Sequence, residues 1–358
     1  MKIKTRLICR TGISEGKSQG IPWALIVKDG KAVLAEVDVP TPGPGEVLVK
    51  VVTAAQNPSD WKALQRRNKT GAILGAVGPD VSPDVRYVGE RVCGFIHGGL
   101  EANGSYSEYL IAKAQYGTIA IPKGWSFDDA AQIGLAALTA IMLLYETHSF
   151  PTPLEPAPPS ADPLPVFVYG GSTAVGLFVV QFLKQAGLRV ITTAAPHNFE
   201  LLKSLGVEEV YNHYENDIGK RIREATGGKL RHAVDTYSEG SSPQIVSDAL
   251  SEEGGLVAQV LPYDSPRSEV TVRVILVYDL LGQDFEWPWP FKVTEEAKKN
   301  SVIYGKLLSD ILGQGKIKPM PIVILPNGLA SVPEGIEFGL AGKISGQKFV
   351  YRIADTPK

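Results

Sequence analysis

Between Pro165 and Gly187 the chain changes period. Val166, Phe167, Val168 and Tyr169 form an unbroken apolar run, the mark of a strand buried on both faces, and Gly170, Gly171, Ser172 and Thr173 end it. From Ala174 onward, Val175, Phe178, Val179, Phe182 and Leu183 fall at i, i+3, i+4, i+7 and i+8, one face of a helix, and Gly187 stops it. The segment predicts a strand, a small-residue turn and a helix laid on a sheet. Such a turn can hold a pyrophosphate, because free backbone N–H groups and the positive end of the helix dipole meet the anion where no bulky side chain intervenes. GGSTAVG is not a full G-x-G-x-x-G, since Thr173 stands where a middle glycine often does. On this stretch alone an ordinary buried strand–turn–helix stays open as the alternative.

The alternation continues downstream. Strands are predicted at Leu188–Thr193, Glu209–Tyr211, His232–Asp235 and Leu256–Leu261, and helices at Phe199–Leu205, Ile218–Ala225 and Ser242–Leu250. Short strands alternating with helices predict a doubly wound parallel sheet whose strand C-termini share one ligand-binding edge. Tyr263–Val293 reads as irregular and aromatic-rich, with Trp287 and Trp289 either packing in the core or covering an apolar ligand. A helix at Tyr304–Leu312 and closing strands follow, with the C-terminus returning to the β-rich part.

The front of the chain has a different texture. Trp23–Val39 alternates on either side of Asp29-Gly30, a hairpin signal, and further strands are predicted at Val47–Ala54, Gly89–Phe95 and Ser105–Ile111. The first 120 or so residues thus read as an all-β unit with little helix. Asp128–Tyr145 is an Ala/Leu-rich buried helix that would bridge two domains, and Phe150–Pro165, with seven prolines, is a stiff loop. The expected division is an extension at 1–22, a β-rich domain at 23–150, a doubly wound domain at 151–300, and a region at 301–358 that completes the second and returns to the first.

The formal net charge of −2, from 36 basic and 38 acidic residues, has no block that would recruit nucleic acid or an anionic membrane, and no apolar run approaches a membrane span. Small molecules are the better partners to seek. Cys9 and Cys93 are too few for a disulfide framework or a Cys-rich zinc site, and His97, His148, His197, His213 and His232 lack ligand spacing, so no metal is expected. Residues 1–22 carry Lys2, Lys4, Arg6, Arg10 and Lys17 against Glu15. They read as an extension on a cytoplasmic protein, with a mitochondrial presequence as the alternative.

GEVLVKV at 45–51, NPSDWK at 57–62, GERVCGF at 89–95, GSYSEY at 104–109, GLAALTA at 134–140 and GGSTAVG at 170–176 together resemble the medium-chain dehydrogenase/reductase superfamily, from about Trp23 to Ile353. Within it, PHNFELLKSLG and the stretch from GKIKPMPIVIL to KFVYRI are most similar to zinc-free fungal enoyl reductase-like proteins. These include trans-acting enoyl reductases that serve polyketide synthases. The resemblance implies an α/β architecture, a GroES-like β-rich catalytic domain plus a Rossmann domain, with a cleft between them, in a monomer. The zinc ligands and GHE motif of metal-dependent relatives have no counterpart here. GAILGAVGPDVS at 71–82 is about eight to ten residues shorter, near 75–76, than the family's pattern.

An NAD site commonly has an acid about twenty residues past the glycines. From Gly176 that count falls in TAAPHN, which has none, so an NADP 2′-phosphate meets no repulsion and Lys203 lies one turn further on. The resemblance places Ala195, Pro196, His197 and Asn198 along the adenosine phosphate, with His213 where relatives often have Tyr. It places Asn57, Pro58, Ser59 and Asp60 beside the nicotinamide, and Ser172, Thr173, Ala174 and Val175 at the pyrophosphate. Val260, Leu261, Ile344 and Ser345 complete the cofactor groove. Substrate would lie against Gly134, Leu135, Ala136, Ala137, Leu138, Thr139 and Ala140 and against Val274, Ile275, Leu276, Val277 and Tyr278.

The implied reaction is NADPH-dependent reduction of an α,β-unsaturated acyl thioester by hydride transfer to the β-carbon, the acyl group being small or held on a carrier protein of a polyketide synthase. Lys62 and Thr139 are candidate donors to the carbonyl oxygen; the alternatives are a surface charge and a helix-packing residue. The competing functions are a free-standing quinone or alkenal reductase and a non-catalytic member of the fold.

Overall fold

A computed structural model describes residues 22–67, 70–74, 89–99, 101–286 and 290–357. Residues 1–21, the shortened stretch from 75 onward, and Trp287 and Trp289 lie outside the described residues, and so do the expectations that fall on them.

The β-rich part begins with the hairpin of β1 (Trp23–Lys28) and β2 (Lys31–Glu36). Asp29 and Gly30 take φ 49° and 74° at its tip, the left-handed pair that a two-residue hairpin turn requires. Next come β3 (Glu46–Lys50), β4 (Thr53–Ala55) and α1 (Pro58–Arg67). This helix corrects the expectation of an all-β unit. Pro58 opens it, where a missing N–H is harmless, and Asp60 sits in its first turn, where the helix dipole favours an acid. β5 (Val92–Gly94), β6 (Tyr109–Lys113) and β7 (Thr118–Ala120) follow; β3 pairs antiparallel with β6, and β5 with β7.

The expected single helix over 128–145 is instead broken in three. α2 (Phe127–Ala130) is capped by Ser126, α3 (Ile133–Ile141) follows, and Met142–Thr147 continues as a wider π-helical turn. At the first break, buried Gln132 turns its amide onto the Met320 backbone, accepting from its N–H at 2.6 Å. α3 is held between the two halves: a Cβ on Gly134 would stand 2.1 Å from the Gly94 carbonyl on β5. Its other side packs on the helix that follows the glycine turn.

That helix is α4 (Ala174–Gln185), preceded by β8 (Pro165–Tyr169), whose Val166, Phe167 and Val168 are fully buried. The chain then runs through β9 (Arg189–Ala194), α5 (Phe199–Ser204), β10 (Glu209–Asn212), α6 (Ile218–Ala225), β11 (His232–Asp235), α7 (Ser242–Ala249), β12 (Gly255–Gln259) and β13 (Val270–Val274). Six parallel strands form one sheet in the order β10-β9-β8-β11-β12-β13. This is the doubly wound arrangement in which a ligand sits where the order reverses, at the C-terminal end of β8. β13 corrects the reading of Tyr263–Val293 as irregular: as an edge strand with mostly exposed residues, it shows no clean alternation.

α8 (Glu295–Gly313) is twice the length expected from Tyr304–Leu312, because Thr294 caps it by accepting from the Ala297 N–H and Glu295 and Glu296 occupy its first turn. β14 (Ile322–Ile324), α9 (Val332–Leu340) and β15 (Lys348–Arg352) end the fold. β15 lies between β14 and β4, parallel to the first and antiparallel to the second.

Candidate functional site

At the glycine turn the amides divide into two sets. Gly170 N–H donates to Thr193 Oγ1 and Gly171 N–H to the Thr193 carbonyl, each at 3.0 Å. Thr173 N–H returns to the Gly170 carbonyl, and Gly176 N–H donates to Thr173 Oγ1 at 2.9 Å, which makes Thr173 the cap of α4. The amides of Ala174 and Val175 open the helix, the position whose donors a helix leaves without internal partners. These two are suited to a pyrophosphate, and the glycines instead shape the turn. A Cβ on Gly171 would stand 2.2 Å from Thr192 Oγ1, and one on Gly176 2.2 Å from the Gly170 carbonyl. Thr173 also reaches Thr236 Oγ1 at 2.9 Å, so the residue that departs from the usual glycine pattern ties the turn to the loop after β11.

Several of the residues expected along the adenosine phosphate lie close to one another. Ala195 and a short turn at Pro196–Asn198 lie at the end of β9, and no acid stands there. Ser345 Oγ meets His197 Nε2 at 3.2 Å and accepts from Asn198 Nδ2 at 2.8 Å. His213 donates its backbone N–H to the Ala194 carbonyl; its Nε2 is buried without a partner, and burial, then the neighbouring His197, hold its pKa below the usual histidine value. Lys203 does not join this group: its ammonium sits on Glu200 at 2.9 Å, an exposed pair within α5. Val260 N–H donates to Ser238 Oγ beyond β12.

Across the cleft, Asn57–Asp60 is held by a buried polar knot. Asn57 N–H and the Tyr106 hydroxyl both donate to Asp60 Oδ2, at 2.7 and 2.9 Å. The Lys348 ammonium donates to Asn57 Oδ1, the Tyr351 hydroxyl to Gln56 Oε1, and Gln56 Nε2 to the Gly335 carbonyl at 2.7 Å. Burial pushes the Asp60 carboxyl up to about 6 against these donors, and pushes Lys348 down to about 8 against the attraction of Asp60. Tyr106, Lys348, Tyr351 and Gln56 were not among the residues expected to form the site. Gln56 directly precedes Asn57, whereas Tyr106 sits in GSYSEY and Lys348 and Tyr351 in KFVYRI, and nothing in their local spacing couples these three to Asn57.

The substrate residues are only partly open. Gly134, Ala136, Ala137, Leu138 and Ala140 are core residues of α3, with Leu135 half-buried. Val274 is exposed at the end of β13, whereas Ile275, Val277 and Tyr278 are buried. Tyr278 is stacked on His97 with ring centroids 4.1 Å apart and its hydroxyl faces Ser59. Its hydroxyl pKa is raised, chiefly by burial. The two catalytic candidates are engaged elsewhere. Lys62 pairs with Glu239 at 3.0 Å, and the Thr139 hydroxyl donates back along its own helix to the Leu135 carbonyl at 2.6 Å. Among the described residues no three His, Cys, Asp or Glu side chains are grouped to hold a metal, and no helix is long and apolar enough to cross a membrane.

The family model for zinc-binding dehydrogenases matches residues 174–277. Trans-enoyl reductase ACTTS2 of Alternaria alternata is 36% identical over 92% of this chain and 98% of its own. Trans-enoyl reductase buaC of Petromyces alliaceus is 34% identical over 86% and 89%. Among solved structures, the CurK enoyl reductase superposes with a TM-score of 0.71 at 20% identity, over 93% of this chain and 99% of that one. The quinone oxidoreductase of Coxiella burnetii does so with 0.68 at 21%, over 92% and 99%. At such identities the structures speak for the fold alone, and the two fungal sequences speak for the branch. The chain belongs to the trans-enoyl reductases of the medium-chain dehydrogenase/reductase superfamily.

Proposed function

We propose that the chain is an NADPH-dependent trans-acting enoyl reductase that reduces the double bond of an α,β-unsaturated acyl thioester for a polyketide synthase. The observation that carries this reading is a pair of built ends in one chain: the α4 start, whose Ala174 and Val175 amides come too early for the helix's own ladder, and the Asn57–Asp60 turn held by Lys348 and Tyr106. The first suits a pyrophosphate and the second a flat amide ring. An acid-free end of β9 with His197, His213 and Ser345 around it supports NADP over NAD.

When bound, the cofactor supplies a hydride to the β-carbon of the enoyl thioester. The chain's own task is then to hold the acyl carbonyl and to donate to its oxygen as charge gathers there, where loss of one donor typically costs about 10²-fold or more. Thr139 in this arrangement has already spent its proton on Leu135, and Lys62 faces Glu239. We therefore read the buried Ser59 hydroxyl, which the Tyr278 hydroxyl faces, as the better-placed donor, and Lys62 as one that must first leave its carboxylate.

NADPH consumption with an enoyl-pantetheine thioester and with crotonyl-CoA, compared with 1,4-benzoquinone, tests the reading. Turnover of the thioesters is expected. Turnover of the quinone alone would replace it with a quinone reductase, and failure to consume NADPH with any of the three would replace it with a non-catalytic member of the fold.

A further inference from the structure

We propose that residues 344–348 form a strut that couples the two ends of the cofactor groove, so that seating the adenosine phosphate at Ser345 orders the nicotinamide-side turn through Lys348. This rests on reading Ala195–Asn198 and Asn57–Asp60 as opposite ends of one dinucleotide site. Both ends hang on the same five residues. Ser345 accepts from Asn198 Nδ2 and meets His197 Nε2. Gly346 is left-handed at φ 65°, and the place of its absent Cβ is 2.2 Å from Asn198 Oδ1, so the chain is pinned against the adenosine edge at two successive residues. Two residues later the Lys348 ammonium donates to Asn57 Oδ1. The next strand residue, Phe349, accepts the Gln56 N–H at 3.0 Å, and Val350 pairs with Ala55.

The connection has little slack. Three residues span at most about 10 Å when fully extended, and here the link is bent by Gly346, so a displacement at Ser345 has no loop in which to dissipate before it reaches Lys348. At the far end the motion meets a buried carboxylate. Asp60 is bonded to Asn57 N–H and Tyr106, and Asn57 can turn away from Lys348 only by leaving a buried ammonium without that partner. The Ser345 oxygen has two acceptor sites and one proton. In the tautomer in which His197 Nε2 carries the proton, Asn198 and His197 both donate and the Ser345 proton is left to point at an anion. Ser345 and Lys348 are on this view positioning residues that touch the cofactor's phosphate end and support its ring end, and neither takes part in the chemistry.

The test uses the full chain and 2′,5′-ADP, which fills the adenosine end and carries no nicotinamide, with 5′-AMP beside it. Hydrogen exchange is read at 53–61 and at 344–352 with and without saturating ligand. The expected result is that 2′,5′-ADP slows exchange at 53–61, a segment it does not touch, about fivefold or more. In Ser345→Ala its Kd should rise about three- to tenfold, the worth of one or two hydrogen bonds, and at saturation the protection at 53–61 should be lost. In Lys348→Met the Kd should change less than twofold while that protection is again lost. Saturating 2′,5′-ADP that leaves 53–61 unprotected in the unaltered chain overturns the strut and leaves the NADP reading standing, as does protection that persists in Ser345→Ala, a variant with little reason to misfold. If neither 2′,5′-ADP nor 5′-AMP binds, the dinucleotide reading falls and takes the strut with it.

Discussion

The glycine turn and the Asn57 turn, which we read as the two ends of one cofactor site, are fixed by different means. At the glycine turn the fastening is backbone to backbone or hydroxyl to backbone apart from the Thr173–Thr236 hydroxyl pair, and the tolerances are steric: bare Cα atoms at Gly171 and Gly176 let β9 and β8 come within contact distance of the helix start. At the Asn57 turn the fastening runs through buried side chains, with partners 46, 279, 291 and 295 residues away. The first is cheap to make and intolerant of added atoms. The second holds its shape only while every member is present, because each buried polar group has exchanged water for one particular partner.

The largest expected effect follows from that second property. Lys348→Met leaves buried Asn57 Oδ1 without its charged donor and removes the cation whose attraction opposes the burial of Asp60, and a hydrogen bond to a charged group is typically worth about 1.5–3 kcal/mol. We expect a loss of that size by urea unfolding. Adding Asp60→Asn should return a good part of it, so that the double variant is more stable than the sum of the single losses predicts. If the losses simply add, the knot is a set of independent contacts and the contrast with the glycine turn fails.

Acid should act on the surroundings of His148 and of Asp60 with opposite sign. In the Rossmann half, His148 stacks on Phe150, and its Nδ1 meets His232 Nδ1 at 3.4 Å while its Nε2 bonds the Ala233 carbonyl. Burial first, and then His232, hold its pKa down to about 4. The unfolded chain takes up that proton near pH 6.5 and the folded chain does not, so about 3 kcal/mol of stability drains away as pH falls from 6.5 to 4. Asp60 is shifted the other way, up to about 6, so the folded state protonates first and gains stability as pH falls from 6 toward 4. Hydrogen exchange at pH 7 and at pH 5 should show β8 and β11 loosening while β4 and β15 do not. His148→Gln should flatten the first trend and leave the second. Equal loosening of both halves would mean that the cleft unfolds as one unit.

How much of each end could be read from the chain follows the same division. GGSTAVG and the strand–helix alternation behind it were legible because the contacts that make them lie within one turn or between neighbouring strands, where spacing is the geometry. What was not legible there is that Gly170, Gly171 and Gly176 have their amides or their space taken up in shaping the turn, which leaves Ala174 and Val175, already expected at the pyrophosphate, as the amides suited to an anion. The knot under Asn57 was invisible, since no local pattern ties Lys348 or Tyr351 to residues near 57. α1 was missed because NPSD reads as a break after a strand, although the same Pro and Asp make a good first helical turn. Lys203, Lys62 and Thr139 were credible as site residues by position, but each has a nearer partner that only the fold reveals, in Glu200, Glu239 and the Leu135 carbonyl.

Gly176→Ala measures the steric tolerance of the first turn. Its methyl would stand 2.2 Å from the Gly170 carbonyl, a backbone atom that cannot swing aside. Forcing atoms into a packed site costs about 1–3 kcal/mol. We expect about 2 kcal/mol by urea unfolding, together with a loss of NADPH fluorescence enhancement larger than the stability change alone produces. A neutral substitution would show that the helix start can shift, and that its amides are not held ready for an anion.

The smallest effect is expected where the two halves touch at the rim. The Lys62–Glu239 pair spans from α1 to the loop after β11, but its side chains are 22% and 47% exposed, and pairs in such surroundings contribute about 0–1 kcal/mol and weaken in salt. Glu239→Gln should therefore change stability by less than about 1 kcal/mol, with the difference gone at high ionic strength. It also frees the Lys62 ammonium, so the same variant asks whether that cation is restrained by its partner: thioester turnover should rise or hold, and should not fall. A loss above about 2 kcal/mol would place a rim ion pair on a level with the buried knot. In that case exposure would not be what separates the two kinds of fastening in this cleft, and the sequence distance that hides the knot would no longer coincide with the burial that makes it matter.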